Sequence, residues 1–82
     1  MAANDKKFIA MAKSILKAEL KRREVSYKQL AGLLAGIGVN ESERNLGNKI
    51  GRGTFSAAFF LQCLTVIGVR RLDIEEVMGA DA

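Results

Sequence analysis

The stretch that most limits what this chain can become is Ser26–Ser56, SYKQLAGLLAGIGVNESERNLGNKIGRGTFS. Two places in it carry the mark of a helix start. Ser26 is followed three residues later by Gln29, and Asn40 three residues later by Glu43. In such a pair the short polar side chain accepts from a free first-turn N–H, and the Gln or Glu reaches back to the N–H of the cap. Between the two starts lie Leu30, Leu33 and Leu34, then Gly36 and Gly38, either of which can take the left-handed conformation that ends a helix. Two short helices, 27–35 and 41–50, joined through a glycine corner predict a helix-turn-helix skeleton. Ile37 and Val39 are expected to plug that corner into the core.

The flanking segments are also helical in pattern. A first helix is expected from Asn4 or Asp5 to Arg23. Phe8, Ala12, Ile15, Leu16 and Leu20 fall on one side, with Met11 at the flank, and Lys6, Lys13, Lys17 and Lys21 lie opposite. For this helix alone a lysine-coated solvent face is the simplest reading, since lysine stems also shield apolar surface. Gly51-Arg52-Gly53 closes the third helix, and Thr54 or Ser56 caps a fourth. There Phe55, Phe59, Phe60, Leu61, Leu64, Val66 and Ile67 leave almost no polar face, as in a central strut or an association surface. A short fifth helix, 72–78, is expected on Leu72, Ile74 and Val77, with 79–82 as a frayed tail. The expected fold is an all-α, compact five-helix domain spanning residues 1–82.

Composition excludes several function classes. The chain has 82 residues, 49% of them hydrophobic, with one cysteine and no histidine or proline. A single cysteine allows no internal disulfide, and without histidine no metal site is expected. Cys63 sits in an apolar run and reads as core filler, since no histidine can activate it. With no paired carboxylates at catalytic spacing and no phosphate loop, an enzyme, a cofactor and a small-molecule substrate are all disfavoured. No apolar run approaches the roughly 18 residues of a membrane span, and the charges in MAANDKKF argue against a secretion signal, so a cytoplasmic domain is expected. The net charge is +4 and unevenly spread. Residues 1–28 hold eight Lys or Arg against three acids, and residues 73–82 hold four acids and no base. A basic front suits polyanion binding, although a mixed-charge solvated surface explains the charge equally well.

The third helix is the least ordinary. Gly47 sits inside it, and Leu46 and Ile50 make its only apolar ridge. At about 100° per residue from that ridge, Arg44, Asn48 and Gly51 point outward, with Asn45, Arg52 and Glu41 beside them and Lys49 nearer the buried edge. Arg can grip guanine bidentately and Asn adenine. Glu43 is explained by capping. Glu41 either reads a cytosine amino group or favours the helix dipole.

Two runs, Lys-Ala-Glu-Leu-Lys-Arg-Arg at 17–23 and Asn-Lys-Ile-Gly-Arg-Gly-Thr-Phe at 48–55, resemble a family of short bacterial proteins known only as a domain of unknown function. The likeness extends from Lys17 to Val69 and brings no activity with it. More distantly, the layout is similar to lambda-repressor-like helix-turn-helix domains. That similarity rests on Leu30-Ala31 in the second helix, Gly38-Val39 at the turn, Arg52-Gly53 after the third helix and Ile67-Gly68-Val69 ending the fourth. The chain departs from it by about three extra residues between Ala31 and Gly38, so its second helix is longer or its turn wider.

The resemblance and the outward face together imply a nucleoid-associated DNA-binding protein, a small transcriptional regulator with its third helix in the major groove. Arg44, Asn45 and Asn48 would meet base edges. Lys49, Arg52 and Thr54 would hold phosphates, as would Tyr27, Lys28 and Gln29 at the start of the second helix. One such domain offers few phosphate contacts, so a homodimer on double-stranded DNA is expected. The competing expectation is a helical protein-interaction module that docks through its Phe-rich and acidic C-terminal part and binds no nucleic acid.

Overall fold

Three serines, Ser26, Ser42 and Ser56, open three of the helices. In each, the side-chain oxygen accepts from the backbone N–H three residues on, Gln29, Asn45 and Phe59, at 3.1, 3.0 and 3.0 Å. The computed structural model describes residues 5–74, and among them there are four helices and no strand. They are α1 Asp5–Arg22, α2 Tyr27–Ala35, α3 Glu43–Arg52 and α4 Ala57–Val66.

Two expectations about helix starts meet different ends. At Ser26 the full capping box forms, with Gln29 Oε1 accepting from the Ser26 N–H at 2.9 Å. At the second start the cap is Ser42 and not Asn40, so α3 runs two residues later than the expected 41–50. The later start leaves Glu41 outside the helix, where its carboxylate accepts from Lys49. Residues 36–42 separate α2 from α3. That connection is longer than the roughly three or four residues that join the helices of a standard helix-turn-helix.

The start of the expected fifth helix, 72–78, is also corrected. Gly68 turns the chain at φ 86° after α4, and residues 69–73 run without helix as Val69 and Leu72 pack on the core. Helical conformation returns only at Ile74, and the rest of 72–78, like the expected frayed end 79–82, lies outside the described residues.

The core follows the 3.6-residue period. Leu16 and Leu20 of α1, Leu30 and Leu34 of α2, Leu46 and Ile50 of α3, and Phe59, Cys63 and Leu64 of α4 form one cluster with Ile67. Removing each large aliphatic side chain from water contributes about 1.5–3 kcal/mol. Helices α1 and α2 each pack against both α3 and α4. Phe8, Leu33 and Ile37, whose place in the apolar pattern predicts burial, are instead exposed, and so is Leu61, on the helix read as either a central strut or an association surface. At Ile37 the reason is local. Its N–H is still tied to Leu34 O in a final turn, so the side chain leaves the corner before Gly38 reverses the chain, and Val39 alone packs inward.

One core feature is invisible in the hydrophobic pattern. Glu19 is buried on α1, within 2.9 Å of Arg22 Nη1 and 3.5 Å of Arg23 Nε. Arg23 Nη1 also donates to Ile67 O at 3.4 Å, so the carbonyl ends of α1 and α4 are joined through one guanidinium.

Candidate functional site

Helix α3 is pinned from beneath. Leu46 and Ile50 are fully buried. The Tyr27 ring, from the first turn of α2, lies over Gly47, where a Cβ would meet Cδ2 and Cε2 at 3.6 Å. With that side engaged, Arg44, Asn45, Asn48, Gly51 and Arg52 are all exposed. The start at Glu43 puts Arg44 and Asn45 in the first turn, with Asn48 one turn further on.

The end of α3 is built more tightly. Gly53 caps it in the left-handed region at φ 73°. Gly53 is buried, and a Cβ there would lie 3.0 Å from both the Ile9 carbonyl and its Cγ2, and 3.1 Å from Lys13 Cβ. Only glycine satisfies both the conformation and the space. Beyond it, Phe55 stacks on Phe60 with ring centroids 5.7 Å apart and leans on Phe59 at 5.6 Å.

This corner shapes a surface recess of about 290 Å³ lined by Lys49, Arg52, Thr54, Phe55, Ser56 and Phe59. Three residues expected to hold phosphate, Lys49, Arg52 and Thr54, are therefore gathered in one place with the cap of α4. Lys49 is already engaged there. Its Nζ lies 2.7 Å from Glu41 Oε1 and 4.9 Å from the centroid of the Phe59 ring. Glu41 thus neither reaches outward from α3 nor sits in its first turn. It is a half-buried acid of the preceding loop, and its Oε2 is buried without a hydrogen-bond partner among the described residues.

The other expected phosphate contacts are dispersed differently. Lys28 and Gln29 are exposed on α2, with Gln29 Oε1 occupied by the cap. Tyr27 is half-buried and packs against the core as well as Gly47. Tyr27 also lines a second recess of about 280 Å³, with Lys17, Leu20, Lys21, Val25 and Ser26. Lys17 and Lys21 are exposed, as a lysine-coated face predicts, and they also border this recess. Their spacing of four residues was the available signal, but the angle at which α2 leaves α1 was not in the sequence.

Cys63 lies at the bottom of the core, fully buried. Burial first and the Glu41 carboxylate second push its thiol up to about 11, with Lys49 acting in the opposite direction. A thiol held protonated in this way is a poor nucleophile near neutral pH. Among the described residues no cluster of His, Cys, Asp or Glu could hold a metal ion, and no helix is long and apolar enough to cross a membrane.

No curated protein and no solved structure matches the chain. A family model does match residues 8–72, the span that contains α3, both recesses and every core residue named above. Through that match the chain belongs to DUF6471, a domain of unknown function.

Proposed function

We propose that this protein binds duplex DNA with a lambda-repressor-like helix-turn-helix, laying the outward side of α3 in the major groove. The observation that carries the reading is the exposure of Arg44, Asn45 and Asn48 on a helix whose opposite side is locked by Leu46, Ile50 and Tyr27. Arg and Asn present planar donor sets that match guanine and adenine edges. The two recesses support it further. Lys17 and Lys21 stand by the N-terminus of α2, and Lys49, Arg52 and Thr54 by that of α4, where cations and free N–H groups favour phosphate. A module of this size neutralises few phosphates, so two copies on one site, acting as a small transcriptional regulator, complete the proposal.

The experiment begins with selection of bound fragments from genomic DNA to obtain a preferred site. Arg44→Ala and Asn48→Ala are then expected to weaken that site by about 1–3 kcal/mol each while changing random duplex little. Arg52→Ala weakens both duplexes similarly. Equal losses on both duplexes for all three variants would remove the base-reading role.

A second reading, a protein-docking module, draws on the exposed Leu33, Ile37 and Leu61. Salt separates the two. Duplex affinity falls with log salt at about 0.9 per phosphate neutralised, whereas apolar docking barely responds.

A further inference from the structure

Lys49 stands between a buried acid and an open recess. Its side chain is 47% exposed and lines the recess with Arg52, Thr54, Ser56 and Phe59. The partner, Glu41, is 14% exposed and does not line it. Only one Glu41 oxygen is satisfied, by Lys49 at 2.7 Å, while the other is buried without a hydrogen-bond partner among the described residues. A carboxylate oxygen on this lysine and a phosphate oxygen on this lysine are the same interaction in chemical terms.

We propose that Glu41 holds Lys49 and releases it to an incoming phosphate, which is then held by Lys49, Arg52 and the hydroxyls of Thr54 and Ser56. Only the lysine side of the pair is half exposed, so releasing Lys49 costs more than parting a solvent-exposed pair. The exchange is feasible because the charge-assisted contacts of the phosphate with Lys49 and Arg52 offset that cost. Lysine is a compact charge on a flexible stem and can turn from one acceptor to another without moving the helix. Ser56 Oγ accepts from Phe59 N–H, which leaves its own proton to donate. Glu41 thereby sets how readily the recess accepts any phosphate, independent of base sequence. The inference rests on the duplex reading only for the source of that phosphate.

Random-sequence duplex and inorganic pyrophosphate serve as separate probes. Glu41→Gln keeps the shape of the side chain and an acceptor oxygen, and it is expected to tighten binding of either probe by about three- to tenfold. In a Lys49→Met background the same change should give no gain. A gain that persists in that background reflects net charge alone and overturns the exchange, as does the absence of any gain. In the unmutated protein, the Glu41 carboxyl carbon and Lys49 Cε should shift together as pyrophosphate is added, and a silent Glu41 signal also overturns it. Duplex binding without a Glu41 effect removes the exchange and leaves the duplex reading standing. Pyrophosphate tightening without duplex binding does the reverse, and binding of neither probe ends both.

Discussion

The two corners that flank α3 make the same backbone demand and answer it in opposite surroundings. Gly38 and Gly53 both sit in the left-handed region, at φ 79° and 73°. A Cβ on Gly38 would meet nothing within 4 Å, whereas one on Gly53 would press on the backbone and side chain of Ile9. The first corner is a wide turn in which Ile37 faces water, and the second is a buried joint against α1. Positive φ alone therefore does not tell how much a corner matters. The leading end of α3, which carries Arg44 and Asn45, emerges from the permissive corner, and the recess lined by Lys49, Arg52 and Thr54 lies at the fixed one.

Four measurements would break or sharpen that contrast. The largest effect is expected for Gly53→Ala, which adds a clash with Ile9 to the left-handed penalty. A loss of about 2–4 kcal/mol in denaturant unfolding fits those two costs together. Gly38→Ala incurs the backbone penalty alone, about 1–2 kcal/mol. If the two variants prove equally stable, the difference between the corners is only apparent. Next, Ser42→Ala should cost about 1 kcal/mol through loss of the α3 cap. Asn40→Ala should cost no more than an ordinary surface change, about 0.5 kcal/mol, and the reverse order would restore the cap to Asn40. The smallest effect is a pH dependence at Cys63, which lies under the Glu41–Lys49 link between the corners. Its folded pKa is raised, so above about pH 9 the unfolded chain gives up a proton that the folded one keeps, and stability falls as pH rises towards 11. The loss should be below about 1 kcal/mol at pH 9.5 and absent at neutral pH. Cys63→Ala, though less stable throughout, should lack that alkaline component.

Sequence reading succeeded where the deciding interactions are local. The bounds of α2 and the capping box at Ser26 follow from residues three apart, and the Leu46–Ile50 ridge correctly separates the buried side of α3 from the side holding Arg44 and Asn48. It failed where a distant partner decides. Asn40 with Glu43 satisfied the capping pattern, but Glu41 is drawn to Lys49, eight residues away, and Ser42 takes the cap. The apolar pattern of Phe8 and Leu33 predicted burial, yet which side of a helix meets its neighbours depends on how the helices cross. The recess around Lys17, Lys21 and Tyr27 likewise exists only once α1 and α2 have been set at an angle. The second glycine corner was recognised as a helix end, but its contact with Ile9 was not, because nothing in the local spacing brings the N-terminal helix to that point.

Helix α3 contains two glycines in ten residues and has only two fully buried anchors, so its regularity is lent to it by the helices around it. An isolated peptide copied from residues 43–52 would unravel in water. The outward side of α3 therefore cannot be transplanted as a short segment and must travel with the whole scaffold.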